Sequence, residues 1–255
     1  MSPRLAPEGR LLAAAFQMLT RLPMPAVSLD DDWLARSAKF FPLVGLLVGA
    51  LSACVLTGAA LLWSGPIPAI LAVAAGLLLT GALHEDGLAD TFDGFGGRSR
   101  EARLAIMKDP HLGVFGALAL AVTLALKVAA LVALAPPLAA AALVAGAAAS
   151  RFGAVLVMWR TGYAGDRHAA KVLHGSGRPN AREVGVALVL AALPLLLLDL
   201  ATAACALMGA ALFGLVLAWR ACRGVGGHTG DVLGAVIAVS EAGFLLGAAA
   251  AFGRP

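Results

Sequence analysis

The densest chemistry in the chain lies in the run His84, Glu85, Asp86, Gly87, Leu88, Ala89, Asp90, Thr91, Phe92, Asp93, Gly94, Phe95, Gly96, Gly97, Arg98. Four carboxylates fall within nine residues, directly after a long apolar segment. If the run is helical, Asp86, Asp90 and Asp93 stand at i, i+4 and i+7, and their oxygens converge on one face. Like charges so close repel one another unless a cation lies between them. Hard divalent ions such as Mg²⁺ take oxygen ligands of this kind, a few carboxylates completed by water and substrate phosphate, so the pattern predicts metal-assisted phosphoryl chemistry. The plainer alternative is a solvated loop in which the acids pair with Arg98, Arg100 and Arg103. Interleaved Gly87, Gly94, Gly96 and Gly97 favour the site, because glycine lets backbone approach a ligand and costs stability in an ordinary helix.

Other clusters share this character. Around Met107, Lys108 and Asp109, the lysine is a point charge suited to phosphate, and Gly113 and Gly116 open a helix N-terminus toward an anion. The bland reading is a polar helix start with an interfacial lysine. Further on, Gly226-Gly227-His228-Thr229-Gly230-Asp231 leads into a last apolar run in which Glu241 lies ten residues beyond Asp231. Thr229 or Asp231 can cap that helix. Capping leaves Glu241 unexplained, and the two acids together suggest one wall of a polar cavity. The basic stretch from Arg160 to Arg182, with Tyr163, Arg167, His168, Lys171, His174, Ser176 and Arg178, suits either a polyphosphate clamp or a positively charged loop. Asp30, Asp31 and Asp32 are expected to start a helix by capping.

These residues hang on apolar elements. Of 255 residues 60% are hydrophobic and 13% charged, and mean hydropathy is +0.89, which predicts an all-α polytopic membrane bundle, one domain over residues 1–255. Seven spans are expected, near 40–63, 67–83, 112–134, 138–159, 183–198, 201–219 and 232–252. An amphipathic interfacial helix precedes them, since the N-terminal segment lacks a clear cleavage site. Counted off alternately, these spans place every basic cluster on one side, which the positive-inside rule makes cytoplasmic. The +4 net charge therefore reflects loops facing a bilayer and not a nucleic-acid surface. Cys54, Cys205 and Cys222 show neither zinc nor disulfide spacing. Lys127 and Glu241 fall in mid-span, where an ionised group is costly and must face the bundle interior or a polar cavity; a single interhelical bond or snorkelling is the simpler role for Lys127. Pro42 and Pro194 are expected to kink their helices.

Taken together the residues resemble the cobalamin synthase family, the adenosylcobinamide-GDP ribazoletransferases. The resemblance runs through Leu19-Thr20-Arg21-Leu22-Pro23, Phe41-Pro42-Leu43-Val44-Gly45, the stretch from His84 to Gly97, Met107-Lys108-Asp109, Gly113 to Gly116, Ser150-Arg151, and Gly227-His228-Thr229-Gly230-Asp231 followed by Glu241. It implies a Mg²⁺-dependent enzyme of the bacterial inner membrane, its active site on the cytoplasmic face, that joins adenosylcobinamide-GDP to α-ribazole or its 5′-phosphate and releases GMP. Carried onto this sequence, it makes Asp86, Asp90 and Asp93 metal ligands, completed by Asp231 and Glu241. It makes His84 or Glu85 the general base, sets Lys108 against the leaving phosphate, and adds Arg98, Arg151 and Thr229 to the substrate contacts. An oligomer is compatible with it. Two other readings remain open. A CDP-alcohol phosphotransferase also places aspartates around metal at helix ends, although Leu83 and Asp90 depart from its pattern. A secondary transporter or divalent-cation carrier would use Lys127 and Glu241 as coupling groups, but should show broken helices in corresponding halves.

Overall fold

Alanine, leucine, valine and glycine fill the long helices, and polar residues are concentrated where helices start and stop. The computed structural model describes residues 7–25, 32–165 and 177–252. Within them run α1 (Pro7–Leu19), α2 (Trp33–Ser37), α3 (Phe41–Ala60), α4 (Ile67–Thr80), α5 (Leu83–Gly94), α6 (Arg100–Ile106), α7 (Val114–Val132), α8 (Pro136–Arg160), α9 (Ala181–Ala192), α10 (Leu200–Val225) and α11 (Gly230–Phe252). No strand occurs among the described residues, as the all-α expectation requires. Arg167, His168, Lys171, His174 and Ser176 of the basic stretch, and Asp30 and Asp31, lie outside the described residues.

Local chemistry sets the ends. Asn180 and Glu183 form a reciprocal capping box at α9, Asp199 accepts the amides of Ala201 and Thr202 at α10, and Ser99 caps α6. Asp32 precedes α2, yet its side chain makes no capping bond, contrary to expectation. Pro42 does not kink a helix: it lies in the first turn of α3, where its missing N–H costs nothing. Pro194 does end one, because α9 gives way to a 3₁₀ turn over Leu193–Leu197.

Seven apolar helices correspond to the seven expected spans, but not all are long enough to cross a membrane. Five are, by length and composition: Trp33–Ala60, α7, α8, α10 and α11. Helix α4 has 14 residues and turns by 88° into α5, so this pair makes a sixth crossing only if it is counted as one broken span. The break is local. Gly81 and Ala82 both adopt left-handed backbone (φ 66° and 57°), and an alanine there is strained by about 1–2 kcal/mol. The N-terminal helix is present, with Leu11, Ala14, Ala15 and Leu19 buried and Glu8 paired to Lys39 at 2.6 Å.

Helices α8 and α11 are the most buried of the crossing helices, while α7 and α10 keep broad apolar faces outward. Close packing rests on small residues. A Cβ on Gly45 or Gly49 would run into the α8 backbone at Ala147 or Leu143, and Gly209, Gly243 and Gly247 bring α10 and α11 into backbone contact. In a bilayer, where burial of apolar surface does not drive helices together, such van der Waals fit does.

Candidate active site

Helix α5 carries the acidic run, so Asp86, Asp90 and Asp93 take the spacing expected of them. It packs along α11, and the two helices cross at glycine: a Cβ on Gly87 would lie 2.6 Å from the Asp231 carbonyl oxygen, and one on Gly234 would lie 3.3 Å from the His84 backbone. Two helices that close bring Asp231 up to the acids of α5. Asp90 lies within electrostatic reach of Asp231, Asp86 and Asp93, and Asp231 within reach of Asp86. Asp86 is exposed, while Asp90 and Asp231 are half-buried. Among the described residues none of these three forms an ion pair.

Two of the three arginines that offered the plainer alternative are engaged elsewhere. Arg100 donates to the carbonyls of Val225 (2.8 Å) and Ala164 (3.0 Å), and Arg103 to those of Gly97 (2.9 Å) and Gly224 (3.1 Å). They bind the segment after α5 to the end of α10, where Gly226 (φ 82°) and Gly227 (φ 152°) turn the chain toward α11. Arg98 and Lys108 are exposed cations near this segment without an ion-pair partner among the described residues.

Asp93 has a different place from its neighbours. Its carboxylate accepts the amides of Gly113 (2.8 Å) and Gly116 (2.9 Å), the first donors of α7. A Cβ on either glycine would strike that carboxylate. The anion that this helix N-terminus was expected to receive is Asp93 itself, held by exposed donors and a favourable dipole. One hydrogen-bonding direction on each oxygen is thereby taken, and Asp93 becomes the pin between α5 and α7.

The turn before α11 is also built. His228 donates its amide to the Gly162 carbonyl (2.9 Å) and accepts from the Ala164 amide (2.8 Å) through its own carbonyl, and its Nδ1 lies 2.8 Å from the Thr161 hydroxyl. Burial, with Arg178 adding to it, pulls the His228 pKa down to about 4, so the imidazole is neutral. Thr229 is the cap anticipated at this helix: it is 6% exposed, and its hydroxyl oxygen accepts the Val232 amide at 3.2 Å.

Four expected site residues lie away from the acidic face. His84 and Glu85 are buried, and Glu85 is 3.5 Å from Lys127. Glu241 is not beside Asp231; its two oxygens face Lys127 (3.4 Å) and Arg151 (2.8 Å). Arg151 is 2% exposed in the bundle interior. That Lys127 and Glu241 are interior groups was foreseeable from an ionised side chain in mid-span; that Glu85 and Arg151 complete their set was not. One signal existed: a buried cation needs a buried anion nearby.

As placed, no three of the described Asp, Glu, His and Cys residues enclose a metal ion. Mg²⁺ does not need them to. It holds few carboxylates and keeps several waters or phosphate oxygens, so an all-oxygen set of Asp86, Asp90 and Asp231 with surplus negative charge fits that ion.

Comparison with known proteins gives this geometry a context. The sequence profile of the cobalamin-5-phosphate synthase family matches residues 11–249. An adenosylcobinamide-GDP ribazoletransferase of Leptothrix cholodnii is 41% identical over 256 residues, covering 94% of this chain and 95% of the relative. One from Shewanella piezotolerans is 40% identical over 237 residues, 91% of each chain, and one from Shewanella baltica is 40% identical over 238 residues. No solved structure matches the chain. By a match that runs almost from end to end, the chain belongs to the cobalamin-5-phosphate synthase family.

Proposed function

We propose that this protein joins adenosylcobinamide-GDP to α-ribazole or its 5′-phosphate, releasing GMP, in a Mg²⁺-dependent reaction at the cytoplasmic face of the bacterial inner membrane. A ribose hydroxyl that is free in both acceptors, and so not the 5′ one, attacks the phosphorus nearest the cobinamide arm. A new P–O bond forms, the bridging bond to the GMP phosphate breaks, and the hydroxyl proton passes to a base. The observation that carries this reading is the set of carboxylates at the α5–α11 crossing, Asp86, Asp90 and Asp231, gathered without a cationic partner among the described residues. These three would hold Mg²⁺, and bound there the ion supplies positive charge to the diphosphate oxygens and the departing phosphate.

The chain's own groups have separable tasks. Asp93 fixes α5 against the mouth of α7. Arg100 and Arg103 hold the start of α6 on the end of α10. Arg98 on the α5–α6 connection and Lys108 on the next one, between α6 and α7, stand exposed as point charges for phosphate. Glu85, paired with Lys127 in the interior, is poorly placed to take the hydroxyl proton; Asp90 and Asp86 are the carboxylates on the open face.

The test is GMP release from adenosylcobinamide-GDP and α-ribazole by the purified protein. Turnover abolished by EDTA, restored by Mg²⁺ and lost in Asp86→Ala supports the reading. Turnover indifferent to EDTA, or retained in Asp86→Ala, overturns it.

A further inference from the structure

Below the acidic face four ionised side chains from four helices form a ladder in the bundle interior. Glu85 of α5 meets Lys127 of α7 (3.5 Å), Lys127 meets Glu241 of α11 (3.4 Å), and Glu241 meets Arg151 of α8 (2.8 Å). Arg151 is anchored further on the Ala147 carbonyl (3.1 Å) and fits beneath Gly45 of α3, where a Cβ would crowd its side chain. Two acids and two bases leave the ladder neutral.

Stability is a poor reason for such an arrangement. Withdrawing four ions from water costs more than their pairing reliably returns, and well-packed apolar residues commonly do as well or better. Two of these contacts are long, and Glu85 Oε2, Arg151 Nε and the neighbouring His84 Nε2 are buried without a hydrogen-bond partner among the described residues. Each such group is a further cost. What the ladder does supply is direction: ion pairs specify which atoms meet, whereas alanine and leucine faces slide.

The helices that it joins are those whose relative register matters most. Glu85 directly precedes Asp86, and Glu241 lies on the same helix as Asp231. The α5–α11 crossing is close backbone packing at Gly87 and Gly234, with Leu88 seated among the short apolar side chains Ala235, Ala238 and Val239, none of which makes a directional contact. A slip of one residue would move Asp86 and Asp90 by about 1.5 Å along the α5 axis.

We propose that Lys127 is a positioning residue: by holding Glu85 and Glu241 at once, it sets the register of α5 on α11 and so the spacing of Asp86 and Asp90 from Asp231. This rests on the transferase reading above, and the two fail separately. If the wild-type protein does not release GMP, that reading fails; if it does, the ladder is judged on its variants.

The experiment compares wild type, the neutral pair Glu85→Gln with Lys127→Met, and Lys127→Arg, in nanodiscs. Measured for each are kcat, KM for adenosylcobinamide-GDP, the Mg²⁺ concentration for half activity, and Tm. Expected for the neutral pair is a Tm close to wild type, kcat lower by about 100-fold, the scale of a misplacement near 1 Å, KM changed less than about 3-fold, and a raised Mg²⁺ requirement. Lys127→Arg, which keeps both contacts, should recover most of kcat. Wild-type kcat in the neutral pair overturns the proposal. So does a loss confined to KM, or a fall in Tm large enough to account for the lost turnover. If the neutral pair does not insert, Glu85→Gln alone is measured instead, which leaves Lys127 on Glu241 and weakens only its hold on α5: a lower kcat with a raised Mg²⁺ requirement supports the register role, and wild-type kcat with an unaltered Mg²⁺ requirement overturns it.

Discussion

Helices α5 and α11 each carry acids at two levels, and the levels are handled in opposite ways. In the interior Glu85 and Glu241 are matched by Lys127 and Arg151. At the open end Asp86, Asp90 and Asp231 repel one another with no cation of the protein between them among the described residues. The interior pairing follows from the solvent: far from water an unmatched charge is prohibitive. The surplus at the open end follows from nothing in folding. An unpaired set of this kind, beside a set that the fold neutralises, is what the proposed cation site requires.

The contrast can be broken most severely at the open end. Asp90→Asn should lower GMP release by at least about 1000-fold, because it would remove an oxygen ligand from the proposed cation and touches no buried pair; its Tm should hold or rise as repulsion is relieved. Activity within 10-fold of wild type would show that the acidic face is not the centre. In the interior the expected order reverses. Lys127→Met alone strands Glu85 and shifts the burden of Glu241 onto Arg151, which should destabilise the bundle by roughly 3 to 5 kcal/mol, seen as a lower Tm and poor insertion.

Gly87→Ala probes the crossing that links the two levels. The added methyl meets the Asp231 backbone, which cannot swing aside, so a cost of about 1–3 kcal/mol is expected together with a larger fall in turnover than in Tm. An unaltered kcat would separate the crossing from catalysis. The smallest effect is at the turn before α11. The folded pKa of His228, about 4, lies below the usual value near 6.5, so the fold favours the neutral ring. Its contribution is therefore complete above pH 6.5 and is lost as pH falls toward 4. Tm should drop more between pH 7 and pH 5 in wild type than in His228→Gln, and equal drops would contradict this.

How far the sequence disclosed these features depended on whether their cause was local. The i, i+4, i+7 spacing of Asp86, Asp90 and Asp93 is visible in any helix, and the cap at Thr229 follows from its position before an apolar run. The mid-span charges announced themselves by their cost. What eluded the sequence was pairing across distance. Nothing near residue 93 says that its carboxylate will serve the amides of Gly113 and Gly116, a helix start whose glycines read equally well as a seat for an external anion. Glu85 looked like one more member of an acidic run, because helical rotation alone does not say which of two adjacent acids turns inward. The pairing of Arg151 with Glu241, ninety residues later, has no local signature either. All seven expected apolar segments are helical, but hydropathy does not give their lengths: the left-handed pair Gly81–Ala82 and the break at Pro194 decide how far two of them run.

The most direct test concerns the unpaired acids on two different helices. Mn²⁺ can stand in for Mg²⁺, and its bound fraction can be followed by electron paramagnetic resonance in the full-length protein with GMP present. Expected is a bound ion in wild type that is lost in Asp86→Ala and equally in Asp231→Asn, since one cation would be shared across α5 and α11. Mn²⁺ binding unchanged in both variants, or no binding in an active wild-type protein, would contradict the shared cation site at this crossing.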